Sequence, residues 1–68
     1  MSLEGKIVTL EITGDGYNED STEENSVDDW FVIEDRDNEL VIEHSRIVCG
    51  SCIVRKNLVK VLHVEDDV

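Results

Sequence analysis

Sixty-eight residues carrying a formal charge of −11 leave room for one domain with a marginal core, since a chain this short buries only about 60% of the surface it exposes when unfolded. No apolar run reaches the roughly 20 residues of a membrane-spanning helix, and the first fifteen residues alternate apolar with polar instead of forming a signal peptide. The cytoplasm is therefore the expected compartment, no membrane partner is expected, and the two cysteines are expected to be reduced.

Ala is absent while Val, Ile and Leu abound, which favours strands over helices. "LEGKIVTLEIT" reads as the first strand, with Val8, Leu10 and Ile12 on one face and Thr9, Glu11 and Thr13 on the other. Residues 14–29, "GDGYNEDSTEENSVDD", read as a loop: seven of sixteen residues are acids, and almost nothing there asks to be buried. "WFVIED" is the second expected strand, and "RDN" supplies turn chemistry. "ELVIEHSRIVC" is the third, with a bend expected over Glu43 to Arg46, where polar residues interrupt both faces. Gly50 marks a tight turn, "SCIVR" a fourth strand, "KN" a corner and "LVKVLHVE" a fifth strand.

The expected fold is all-β: a small, strongly bent, five-stranded antiparallel barrel of SH3-like or Sm-like kind, forming one domain over residues 1–68 with an acidic loop at 14–29. In the last strand Leu58, Leu62 and Val64 fall on one face, and Val59 and Val61 on the other. A lone small barrel buries one face of a strand, so a second apolar face or an unpaired edge invites another subunit. Self-association through the last two strands is expected, with Ile53, Val59 and Val61 at the interface. The alternative is that the acidic loop folds over this face.

Charge is unevenly distributed. Residues 1–43 hold fourteen acids and two bases, whereas residues 44–63 hold four Lys or Arg and no acid. A uniformly acidic protein repels nucleic acid, but a basic strip within an acidic shell makes a focused site.

These segments resemble the Sm and LSm family, which includes Hfq. "GKIVTLEI" is similar to the first strand of the Sm1 motif, "DNELVIE" to the stretch that ends Sm1, and "IVRKNLVKVL" to Sm2, a hydrophobic pair followed by Arg and a hydrophobic strand. Lys56 stands where the family commonly has Gly, and Asn38 lies three places after Asp35 where the family has four. The resemblance implies a ring built by pairing between the fourth and fifth strands, with single-stranded RNA (or DNA) bound at its centre. It matches Arg55 to the Sm2 Arg, places Asn57 in the same corner and sets Asn38 near the Sm1 Asn. In such a ring each subunit would deliver Arg55 and Lys56 to a common centre, so repetition would turn a weak basic corner into a dense cationic site. Tyr17 and Trp30 are the aromatics available for stacking on bases, Trp30 being expected in the core.

"CGSC" at 49–52 has the spacing of a zinc or redox pair. With His44 and His63 the cysteines would make four ligands, but extended strand separates His44 from Cys49 by about 16 Å. Packed turn residues are the expected role of Cys49 and Cys52, with a shared metal or a redox pair as alternatives; no cofactor is expected. The acidic loop reads as a solvated, repelling segment. Calcium binding and imitation of nucleic-acid phosphates are its alternatives, and the latter resembles what small acidic phage proteins do when they bind a basic partner protein. No Ser-His-Asp order, phosphate-binding Gly-rich loop or paired carboxylate in an apolar pocket is present, so the chain is read as a non-enzyme.

Overall fold

The computed structural model describes residues 2–47 and 50–65. Five strands run through them: β1 (Ile7–Ile12), β2 (Ser26–Asp35), β3 (Glu39–His44), β4 (Ser51–Arg55) and β5 (Val59–Glu65), with a 3-10 turn at Lys56–Leu58. They form one antiparallel sheet in the order β4-β3-β2-β1-β5. The fold is all-β, as the alternation of apolar and polar residues predicts.

A single sheet has nothing to bury its apolar face against except itself, so it must curl. Val8, Leu10 and Ile12 of β1, Val32 of β2, Leu40 and Ile42 of β3 and Val54 of β4 make one core, none more than 6% exposed. Leu3, Trp30, Val59 and Val64 pack around it. The result is a strongly bent, barrel-like sheet that stays open, with β4 and β5 as its two edges.

Two register shifts shape it. One lies in β2, where Val32 pairs with Ile42 but Glu34 pairs with Val41, leaving Ile33 as the extra residue. Beyond it the alternation reverses phase. Glu34 is exposed, and the carboxylate of Asp35 turns towards the protein, its side chain 9% exposed. The other lies between β1 and β5: Thr9 pairs with His63 and Leu10 with Val61, so Leu62 is extra. A bulge bends its strand and re-aims the side chains beyond it.

The second bulge corrects the expected faces of β5. Val59 and Val64, expected on opposite faces, both pack on the core, while Val61 and Leu62 are 41% and 47% exposed. The loop bounds change as well. β2 begins at Ser26, because Ser26–Asp29 pair with Ile12–Thr9 of β1, so the loop ends at residue 25. Asp28 and Asp29 therefore belong to a strand. β3 ends at His44, where the expected long strand was to bend, and residues 45–47 leave the sheet. Val48 and Cys49, expected at its end, lie outside the described residues.

Candidate functional site

The β2–β3 turn and the β4–β5 corner meet at one mouth of the sheet. Glu39 pairs with Arg55 across β3 and β4. The Lys56 N–H donates to the Asn38 carbonyl at 2.9 Å, and the Arg36 N–H to the Glu39 carbonyl at 2.9 Å. Between them lies an open cleft of about 950 Å³ lined by Arg36, Asp37, Asn38, Glu39, Arg55, Lys56 and Asn57. All four residues expected at a binding site, Asn38, Arg55, Lys56 and Asn57, line this cleft. Arg36, Asp37 and Glu39 join them. The "RDN" turn carried that information, since a residue beside Asn38 in a tight turn shares its surroundings.

The three cations of the cleft are not equivalent. Lys56 Nζ sits 2.6 Å from Asp35 Oδ1, and Asp35 Oδ2 also accepts the Leu3 N–H at 2.8 Å. The ammonium and then this N–H hold the Asp35 carboxyl below its ordinary value. The β2 bulge is what turns Asp35 to this position. Arg36 bridges Glu34 at 3.3 Å and Glu39 at 3.6 Å. Arg55 has no ion pair among the described residues: its guanidinium lies 4.7 Å from the centre of the Tyr17 ring, a cation–π geometry. Lys56, expected as a ligand-binding cation, is thus already engaged, and Arg55 is the cation of the cleft left without a carboxylate.

The acidic loop reaches the same corner. The Gly16 carbonyl accepts the Arg55 N–H at 2.7 Å. Gly16 has φ +80°, and an added Cβ would lie 2.7 Å from Ile12 Cγ2 and 2.8 Å from Val54 Cγ1, so only glycine allows this approach. Asp15 Oδ1 accepts the N–H groups of Tyr17 and Asn18 at 2.9 and 2.8 Å, and Asp15 Oδ2 accepts Asn18 Nδ2 at 3.0 Å. Bonds from Asn18 and then Tyr17 hold the Asp15 carboxyl below its ordinary value. Asn57 Nδ2 donates to Glu19 Oε1 at 3.5 Å. The loop is held in place beside the cleft.

The expected metal and aromatic residues fall elsewhere. His44 Nε2 meets Asp28 Oδ2 at 2.6 Å, while Nδ1 accepts the N–H groups of Arg46 and Ile47 at 3.1 and 3.2 Å. These partners fix the neutral tautomer with its proton on Nε2, and the bond from His44 chiefly lowers the Asp28 carboxyl. Both ring nitrogens are occupied, so His44 has no lone pair to offer a metal. His63 lies on β5 and Cys52 on β4, opposite edges of the sheet. Among the described residues no three His, Cys, Asp or Glu side chains are grouped to hold a metal ion. Trp30 packs on the core and meets the His44 ring edge-on at 5.1 Å.

Fold and cleft together define a small, open, bent-sheet β module with a mixed-charge polar cleft at one mouth. Comparison with protein-family models, with curated proteins and with solved structures gives no match. No helix among the described residues is long and apolar enough to cross a membrane.

Proposed function

We propose that this chain is a non-enzymatic, Sm-like protein that assembles through its outer strands β4 and β5 and binds single-stranded RNA or DNA at a site repeated in each subunit. The observation that carries this reading is the meeting of Arg55, Asn38 and Asn57 in one open cleft. Two amides offer donors and acceptors suited to base edges, and an unneutralised guanidinium offers charge and a planar face. A single cleft with two of its three cations paired is a weak site for phosphate. Assembly compensates, because a strand that spans several subunits gains avidity without new contacts. The edges suit such assembly: β4 and β5 are the two outer strands of the sheet, and Ile53 and Val61 stand 40% and 41% exposed on them.

Arg55→Ala tests the reading. It should abolish binding of short oligo(U) and oligo(A) in a gel-shift assay while the native mass stays that of the wild type. Wild-type affinity should fall steeply with salt, as phosphate contacts release counterions. Oligonucleotide binding unaffected by Arg55→Ala would exclude the cleft as the binding site.

A second reading has its own observation. The acidic loop is internally hydrogen-bonded through Asp15 and Ser21, so its carboxylates are presented on an ordered frame. Such a frame suits recognition of a basic protein in place of nucleic acid. On this reading, replacing Glu23 and Glu24 with Gln loses the partner, and Arg55→Ala is silent.

A further inference from the structure

The loop does more than sit beside the cleft. Tyr17 lays a ring against the Arg55 guanidinium, and two residues on Glu19 places a carboxylate oxygen at the Asn57 amide. A planar ring on a guanidinium and an anion on a neighbouring donor are also the two groups that a nucleotide would bring, its base and its phosphate. Arg55 and Asn57 line the cleft. The same two side chains that a ligand would need are therefore in contact with the chain's own loop.

We propose that Tyr17 and Glu19 form an internal pseudo-ligand, holding the Arg55–Asn57 end of the cleft until a single strand of nucleic acid displaces them. The inference rests on the nucleic-acid reading above and concerns how that site is regulated. The loop is built for it. Gly16 is pinned under Ile12 and Val54 with its carbonyl on the Arg55 N–H, and Asp15 caps the backbone of Tyr17 and Asn18. The root is thereby fixed, so the ring and the carboxylate return to the same place whenever the cleft empties.

The contacts themselves are weak enough to be displaced. Tyr17 is 40% exposed, and 3.5 Å is long for an N–H···O bond, whose usual length is about 2.9 Å. One isolated cleft then holds nucleic acid poorly, while several clefts on one strand outcompete their loops together. Such a threshold gives an acidic protein a preference for strands long enough to reach several subunits.

Anisotropy of fluorescein-labelled oligo(U) separates the outcomes. Tyr17→Ala changes no charge, so it should tighten binding about two- to fivefold, the worth of an exposed cation–π contact of roughly 0.5–1 kcal/mol. Tyr17→Phe keeps the ring and should bind like wild type. Glu19→Gln should tighten binding more than Glu23→Gln, which reports only the through-space effect of one lost charge. Native mass and circular dichroism check that each variant folds; should Tyr17→Ala fail to fold, the Glu19 and Glu23 pair still decides. If the wild type binds and Tyr17→Ala binds equally or more weakly, or Glu19→Gln matches Glu23→Gln, the pseudo-ligand is overturned and the nucleic-acid reading stands. If no variant binds oligo(U) even at low salt, both fall.

Discussion

The carboxylate of Asp35 shows how one side chain can take a residue away from the role its type suggests. Lys56 belongs by charge to a nucleic-acid site, yet its ammonium is 2.6 Å from a carboxylate that is itself 9% exposed. Lys56→Met should therefore act mainly on stability. It leaves a nearly buried carboxylate with the Leu3 N–H as its remaining donor. A fully buried pair broken in this way costs about 3–5 kcal/mol; here Lys56 is 38% exposed, and solvent screening brings the expected loss to about 1–2 kcal/mol. Urea unfolding measures it, and Asp35→Asn with Lys56→Met should recover part of the loss because the unpaired charge is gone. Gly16→Ala should be costlier than its exposed neighbours suggest. The new methyl meets two core side chains below 3 Å at a φ of +80°, and overpacking with backbone strain costs about 1–3 kcal/mol. The same substitution should also loosen the loop from Arg55, visible as lower hydrogen-exchange protection of the Arg55 amide.

The strands themselves were legible because their pattern has period two: Val8, Leu10 and Ile12 are buried as their alternation predicts, and so are Leu40 and Ile42. What the sequence hides is phase. Nothing in "WFVIED" announces that Ile33 is an extra residue, and nothing in "LVKVLHVE" announces that Leu62 is, because a bulge is settled by which partner residues pair across the sheet. Hence the reversed facing of Asp35 and the shared facing of Val59 and Val64 were out of reach. The start of β2 was hidden for another reason. Ser26–Asp29 is polar, and a strand built from "SVDD" is held by its ladder to β1 and by bonds such as that from Thr9 Oγ1 to Asp29 Oδ1 at 2.6 Å, not by its own propensity. The cleft residues, by contrast, stand next to turns, and turns are where sequence is most explicit. For assembly, the corrected phase selects the variant. Val59 packs on the core, so Val59→Lys would unfold the barrel and say nothing about partners. Val61→Lys lies at an exposed edge position and should reduce the native mass to that of a folded monomer. A wild-type chain that is already a compact monomer at micromolar concentration removes the assembly.

A charge of −11 on 68 residues acts on the whole molecule at once. Self-repulsion destabilises the compact state, and screening shortens its reach to about 8 Å at physiological salt, so moderate salt should raise the unfolding midpoint. Oligonucleotide binding should fall over the same range, because its phosphate contacts release counterions. Asp15, Asp28 and Asp35 link stability to acid pH. Their carboxyls are lowered from 3.8 in the folded chain by bonds from Asn18, His44 and Lys56 respectively. A group depressed on folding contributes stability that is present above its unfolded value and is lost as pH falls through its folded value. Below about pH 3.8 these three contributions therefore drain away, and thermal melts across pH 2–7 should show a plateau followed by a fall. Lys56→Met supplies the internal check. It removes the main cause of the Asp35 depression, so its melting curve should lie below wild type at pH 5–7 and converge on it as the pH drops towards 2. Parallel curves over the whole range would mean that Lys56 contributes packing alone and that the ion pair at the mouth of the cleft carries no stability.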